Sequence, residues 1–201
     1  MKKLLLTGFE PFLGFPINPT ERIVSALNGQ TIGDYKIVGL LLPVDFSSAP
    51  NRIVEEVRGL GPDAVISLGL AAGRNALTPE RIAINCRDGA PDNKGVALED
   101  APIAEGGPDG YFSSLPIRTM VNVLKENGYP AEISNSAGTY LCNNVMYSVL
   151  HELTVSGRTI PAGFIHIPAS HELAISGKKA MPSWSESDLL EAVKIAINCL
   201  E

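Results

Sequence analysis

The 201-residue sequence has few cysteines, and they are poorly placed for cross-linking. Cys86, Cys142 and Cys199 are odd in number and far apart, and no CxxC pair occurs. This spacing lacks the disulfide framework of a small secreted domain and the close ligand pair that structural zinc sites usually show. We therefore expect reduced thiols, a cytoplasmic location and no bound metal.

Positive charge and long apolar runs are also scarce. The chain has 16 Lys and Arg against 22 Asp and Glu, and its net charge of -6 argues against a nucleic-acid partner. The apolar run after Lys3 is too short for a signal peptide and soon meets Glu10, and no stretch approaches the length of a membrane span. With 45% hydrophobic residues, we expect one globular domain over residues 1–201 and no membrane partner.

Short apolar segments alternate with amphipathic ones along most of the chain. The segments predict strands near residues 3–7, 35–42, 64–68, 82–85, 131–134 and 162–168. The amphipathic segments predict helices near residues 19–28, 48–58 and 114–127, from 141 onward, and near 185–199. Apolar strands alternating with helices indicate an α/β protein with a mainly parallel sheet covered on both faces, whose sites form at the carboxyl ends of strands.

The segment from Ser136 to Tyr147 combines a turn, a thiol and a helix start. Gly138 permits a sharp turn, and the apolar spacing from Leu141 onward marks one face of a helix. Cys142 is thus expected at a helix N-terminus, where free N–H groups and the helix dipole favour a thiolate nucleophile. The alternative is a small buried apolar residue, because a nucleophilic cysteine also needs a base.

An imidazole and a carboxylate fall near other strand ends. His166 lies among apolar residues near the end of the last predicted strand, where it is either a core histidine or a site residue. Glu80 precedes Arg81, which by default would make a surface ion pair of little energetic value. Together with Cys142, these residue types suit a cysteine peptidase better than a zinc site.

Three loops remain to be assigned. Residues 8–18 contain three phenylalanines, which form either a satellite core cluster or the wall of an apolar pocket, and Asn18 is predicted to cap the helix after it. Residues 86–109 are polar and lack periodicity, which predicts a flap or an interface arm. The Gly69 to Arg74 loop has no phosphate-binding spacing.

Several motifs together resemble the pyroglutamyl peptidase type I family, also called pyrrolidone-carboxylate peptidases. They occur in the family's order and span nearly the whole chain. They are Thr7-Gly-Phe-Glu-Pro-Phe, Thr78-Pro-Glu-Arg-Ile-Ala-Ile-Asn, Tyr111-Phe-Ser-Ser-Leu-Pro-Ile, Ser134-Asn-Ser-Ala-Gly-Thr-Tyr-Leu-Cys-Asn-Asn and Gly163-Phe-Ile-His-Ile-Pro.

The resemblance implies a three-layer α/β/α sandwich with a mainly parallel, mixed central sheet, assembled as homodimers or homotetramers. It implies a thiol exopeptidase that removes N-terminal pyroglutamate from peptides through a thioester, without metal or cofactor. The family's triad falls on Glu80, Cys142 and His166. Its substrate pocket falls on Phe9, Phe12, Asn18, Tyr140 and Leu141.

Two departures from the family pattern concern substrate recognition. Leu70 stands where many members carry Gln, and the segment after Cys86 is about one residue shorter than usual. The family often places an arginine in that segment, and Arg87 is a candidate to replace it. These departures leave open a catalytically weakened pyroglutamyl-binding protein. A nucleoside phosphorylase on a similar framework would require a phosphate site.

Overall fold

The computed structural model describes residues 1–12, 14–177 and 180–200. Within these residues the chain forms ten strands. The strands are β1 (Lys2–Phe9), β2 (Thr31–Ile32), β3 (Tyr35–Leu42), β4 (Ala64–Leu70), β5 (Thr78–Pro79), β6 (Ile82–Ile84), β7 (Gly110–Phe112), β8 (Ala162–Ile167), β9 (Ala169–Ser170) and β10 (Ser183–Trp184).

Six helices connect and cover these strands in the described part of the chain. They are α1 (Pro19–Leu27), α2 (Ser48–Leu60), α3 (Ile117–Glu126), α4 (Leu141–Val155), α5 (His171–Ser176) and α6 (Glu186–Asn198). None of the helices within the described residues is long and apolar enough to cross a lipid bilayer.

The central sheet has six strands in the order β2-β3-β1-β4-β8-β5. The four inner strands are parallel, and the short edge strands β2 and β5 are antiparallel to their neighbours. The inner strands are apolar almost throughout because helices cover both of their faces. The prediction of a mainly parallel, mixed sheet is confirmed.

Alternate residues of each strand enter different hydrophobic cores. Leu4 and Leu6 of β1 pack with side chains of α1, α3 and α6, whereas Leu5 packs with side chains of α2 and α4. This division follows from the twofold periodicity of a strand, which sends successive side chains to opposite faces. The result is a three-layer α/β/α sandwich, as the resemblance implied.

The carboxyl ends of the parallel strands meet at one edge of the sheet. Strand β1 ends at Phe9, β4 at Leu70 and β8 at Ile167, and all three strands run in the same direction. The loops that follow them are therefore brought together, which is how sites form in open α/β sheets.

Several local predictions differ from the structure. Residues 131–134 form isolated bridges with residues 77 and 80 instead of a regular strand. Helix α3 begins at Ile117 and not near residue 114, because Ser113 and Ser114 bond to β8 instead. The short helix α5, which the sequence analysis did not predict, begins at His171 with Ser170 as its cap. Strand β5 was not predicted, since two residues carry no periodicity.

Buried polar side chains hold residues 86–109 against the sandwich. The Asp92 carboxylate accepts from the backbone N–H groups of Phe46, Lys94 and Val96, while Asn143 of α4 bonds to the backbone of Ile84 and Cys86. Such a segment needs side-chain partners because it lacks the backbone ladder of a sheet.

Loss of the Asn143 amide should destabilise this attachment. In Asn143→Ala, the N–H and C=O groups that the amide now satisfies would be left unpaired, at about 1–3 kcal/mol for each buried group. We expect a loss of about 3 kcal/mol in urea unfolding. Asn122→Ala, at an exposed position of α3, is the matched control and should change stability by less than about 0.5 kcal/mol. Equal midpoints for the two variants would contradict the role of Asn143.

Candidate active site

His166 lies in β8, one residue before the end of the strand, and Gly69 of β4 is its partner in the sheet. The His166 side chain is 8% exposed and packs on the Phe164 ring, with the two ring centroids 4.9 Å apart. The strand position and the aromatic neighbour fix the direction in which the imidazole points. The ring therefore projects from the sheet surface at the edge where the strand ends meet.

Glu80 directly follows β5, the strand on the other side of β8, and approaches the same ring. Thr78 of β5 pairs with His166, and the backbone N–H of Glu80 then donates to Phe164 O. This register directs the Glu80 side chain inward, where it is 0% exposed. Its Oε1 atom accepts a hydrogen bond from His166 Nδ1 at 2.6 Å and another from Arg74 Nη1 at 2.9 Å.

The surroundings of Glu80 favour its ionised form. Burial alone would raise the pKa of the Glu80 carboxyl, but the surrounding hydrogen bonds and charges, those of His166 foremost, together lower it. The Ser134 hydroxyl and Arg74 also lower the pKa of this carboxyl. Because a carboxylate can only accept hydrogen bonds, the proton of the 2.6 Å contact belongs to Nδ1 of His166. The other ring nitrogen is then available as a base.

Cys142 occupies the second position of α4, after the turn that the sequence predicted. Gly138 has a φ of 79°, a left-handed conformation that favours glycine, and Tyr140 precedes the helix in an extended conformation. The N-cap residue of α4, Tyr140, makes no side-chain hydrogen bond to the first turn of the helix. Among the described residues, no acidic side chain lies in that first turn. The first-turn N–H groups and the dipole of α4 thus remain directed toward the thiol's surroundings.

The Cys142 sulfur lies over the strand pair from which His166 projects. A Cβ atom placed on Gly69, the sheet partner of His166, would lie 2.9 Å from Cys142 Sγ and 2.6 Å from the Phe164 ring. Burial alone would lower the pKa of the His166 imidazole, but the adjacent Cys142 and the Glu80 carboxylate raise this pKa to about 9. The thiol of Cys142, the imidazole of His166 and the carboxylate of Glu80 thus interact in sequence, with the imidazole between the other two.

A small apolar cavity opens beside the thiol. It is lined by the five positions that the resemblance assigned to the pocket, by Cys142, and by Leu70, whose departure from the family pattern the sequence had linked to substrate recognition. Nothing in the sequence indicated the remaining lining residue, Val44. The lining residues are Phe9, Phe12, Asn18, Val44, Leu70, Tyr140, Leu141 and Cys142. Within the described residues, no group of three or more His, Cys, Asp or Glu side chains could hold a metal ion.

The polar groups of two pocket residues are partly used in building the pocket itself. Asn18 caps α1 through the N–H of Thr20, and its Nδ2 donates to Glu10 O, so the predicted cap is confirmed. The hydroxyl of Tyr140 donates to Pro91 O in the segment 86–109. That segment therefore supports one wall of the cavity.

Two arginines lie differently from what the sequence suggested. Glu80 pairs with Arg74 and not with Arg81, whose guanidinium donates to Asn135 Oδ1. Arg87 donates to Pro102 O and lines a separate cavity of about 400 Å³ between α2 and α4, which includes neither Cys142 nor His166 among its lining residues. A surface ion pair at Glu80 was thus the wrong expectation, because neighbouring side chains of an extended segment point in opposite directions.

A side chain at position 69 should disturb the thiol. In Gly69→Ala, the added Cβ would collide with Cys142 Sγ and with the buried ring of Phe164, so the sulfur must move away from His166. We expect the alkylation rate of Cys142 by iodoacetamide, followed by peptide mass spectrometry, to fall by about 10- to 100-fold. Gly73→Ala in the following loop is the control, since a Cβ there would meet no described atom within 4 Å. Similar rates in both variants would show that Gly69 does not constrain the sulfur.

Comparisons with known proteins identify the family of the chain. A family model described as pyroglutamyl peptidase matches residues 2–201. A pyrrolidone-carboxylate peptidase from Oceanobacillus iheyensis is 55% identical over 201 residues, with 100% of both chains covered. One from Pyrococcus furiosus is 49% identical over 199 residues, covering 97% of this chain and 96% of that protein.

Solved structures give the same result at the level of the fold. The pyrrolidone carboxyl peptidase from Thermococcus litoralis matches with a TM-score of 0.96 and 39% identity, covering 100% of this chain and 93% of that one. A variant of the Pyrococcus furiosus enzyme matches with a TM-score of 0.95 and 47% identity, covering 98% and 97%. The resemblance noted in the sequence is confirmed, and the chain belongs to the pyroglutamyl peptidase family.

Proposed function

We propose that the chain is a cysteine exopeptidase that hydrolyses the bond after an N-terminal pyroglutamyl residue of peptides. Cys142 acts as the nucleophile, His166 as base and then acid, and Glu80 orients the imidazole. The observation that carries this proposal is the buried His166 ring, which bonds to Glu80 through Nδ1 and interacts with Cys142. Family membership supplies the substrate class.

The apolar cavity suits a pyroglutamyl ring. This five-membered lactam has no charged amine, so it can enter an apolar site without the cost of burying an unpaired charge. Phe9, Phe12 and Leu141 offer apolar contacts, while Asn18 retains a second Nδ2 hydrogen for a lactam oxygen. The cavity measures about 20 Å³, room for about one water, so we expect the partly exposed Phe12 to move when substrate binds.

The first half of the reaction forms a thioester. The second nitrogen of His166 takes the proton of the Cys142 thiol before the attack, which the raised pKa of the imidazole favours. The sulfur then attacks the pyroglutamyl carbonyl carbon while the ring holds that proton. The oxygen of that carbonyl gains the negative charge, and the first-turn N–H groups of α4 stabilise it. The C–N bond then breaks as His166 gives its proton to the leaving amine, which departs as the shortened peptide.

The second half regenerates the enzyme. His166 takes a proton from a water molecule, and the resulting hydroxide attacks the thioester carbonyl. The C–S bond breaks, pyroglutamate leaves and Cys142 regains a proton. Throughout the cycle, Glu80 keeps Nδ1 protonated, so that the other ring nitrogen carries out each proton transfer.

Removal of the sulfur should abolish hydrolysis. We expect Cys142→Ser to lower kcat for a pyroglutamyl chromogenic amide by at least about 10³-fold, because a hydroxyl ionises far less readily than a thiol. Cys199→Ser is the matched control: Cys199 caps the C-terminus of α6, away from the cavity, and its variant should keep wild-type kcat. Full activity of Cys142→Ser would refute the mechanism.

The same assay tests a weakened binding protein, which Leu70 motivates because it presents an apolar side chain to the cavity. That alternative predicts that the wild-type chain binds pyroglutamate in calorimetry but does not cleave the amide. Cleavage by wild type, together with its loss in Cys142→Ser, would exclude the alternative.

The raised pKa of His166 sets the alkaline limit of activity. With this pKa near 9, the imidazole holds a proton below pH 9 and loses it as the pH rises further. Because the leaving amine needs that proton, we expect kcat/KM to decline as the pH passes through about 9. Hydrolysis rates of an uncharged amide between pH 5 and 10.5 would measure this. A rate that continues to rise above pH 9 would contradict the assignment of His166 as the acid.

A further inference from the structure

Arg74 is not one of the three reacting groups, but it contacts one of them. It lies in the loop after β4, where its backbone N–H donates to Ala71 O. Its Nη1 atom lies 2.9 Å from Glu80 Oε1 and 2.5 Å from Thr78 Oγ1. The Arg74 side chain is 35% exposed and that of Glu80 is 0% exposed, so the arginine reaches from the surface to a fully buried carboxylate.

A buried carboxylate needs a compensating positive charge. His166 provides that charge while its ring is protonated, but the proposed reaction makes the ring neutral each time it gives up its proton. A neutral ring still donates from Nδ1, yet it brings no charge. Within the described residues, Arg74 is the other cation that hydrogen-bonds to Glu80.

The charged and titratable groups around Glu80 come from three elements. Arg74 approaches from the loop after β4, His166 from β8, and Cys142 of α4 lies on the far side of the ring. Ser134, on the neighbouring extended segment, adds an uncharged hydroxyl. Since the arginine does not take part in proton transfer, its charge remains constant through the cycle.

We propose that Arg74 is a positioning residue that keeps Glu80 ionised when His166 is neutral. It thereby preserves the tautomer in which Nδ1 carries the proton and the other nitrogen faces Cys142. This inference rests on the proposed function for the roles of the three groups. In this role Arg74 controls the protonation states of Glu80 and His166. It does not bind substrate, because Arg74 does not line the apolar cavity.

Removal of the Arg74 charge should shift the acid limb of the pH profile. Without this cation the pKa of Glu80 rises, so the carboxylate becomes protonated at a higher pH and no longer fixes the ring. In Arg74→Met, we expect kcat/KM for the pyroglutamyl amide to fall by up to about 10-fold on this limb. The acid limb should move up by about one pH unit.

The variants are chosen to separate charge from packing. Arg74→Gln keeps a donor for Thr78 without the charge and should behave as Arg74→Met, which also guards against misfolding of one neutral variant. Arg74→Lys restores the charge and should return the acid limb toward that of wild type. Arg81→Met is the control, because the Arg81 guanidinium bonds to Asn135 and not to Glu80. Thermal unfolding verifies that each variant is folded.

Alkylation of Cys142 by iodoacetamide against pH gives a second readout that needs no substrate. The neutral variants should shift its acid limb in the same direction, since an unanchored imidazolium stabilises the thiolate less. Unshifted limbs in folded Arg74→Met or Arg74→Gln would overturn the proposal, as would an Arg74→Lys profile identical to theirs. A wild-type chain that cannot cleave the amide would instead refute the proposed function and leave this alkylation test valid.

Discussion

The hydrogen bond between His166 Nδ1 and Glu80 Oε1 is the interaction on which the site depends. It joins two groups that are both almost wholly removed from solvent, and its geometry requires β5 to run antiparallel beside β8. The two-residue strand β5 is one of the two antiparallel edge strands of the sheet. Strand β5 pairs with the end of β8, so that Glu80, the residue after β5, brings its carboxylate to the imidazole of His166.

The Cys142 thiol can approach the His166 ring because Gly69 has no side chain. Gly69 leaves the surface beside His166 empty, and Cys142 Sγ occupies the space that a Cβ would need. The left-handed turn at Gly138 leads into α4, so that this sulfur lies at the N-terminus of the helix. The positive end of the helix dipole favours a negative charge there. The thiol and the imidazole therefore come from different layers of the sandwich and meet at the carboxyl edge of the sheet.

The sequence could predict those features that have local causes. The turn at Gly138, the α4 start and the Asn18 cap each follow from a few neighbouring residues, and all three are present. The partner of Glu80 could not be found this way, because Arg74 reaches it only after β4, the loop and β5 have assembled. Residues 131–134 likewise looked like a strand, but they form only isolated bridges. Tertiary pairing, which local propensity does not encode, decided both cases.

The apolar cavity adjoins the interacting Cys142, His166 and Glu80 side chains. This arrangement would favour an uncharged peptide terminus over one that carries an ammonium group. An ordinary N-terminal ammonium in the cavity would lose its hydration among Phe9, Phe12 and Leu70, with no carboxylate among the lining residues to replace it. A protonated His166 beside Cys142 would repel the same ammonium. A lactam suffers neither penalty. Under the proposed function, selectivity would therefore arise as much from the cost of admitting a charge as from contacts made to the pyroglutamyl ring.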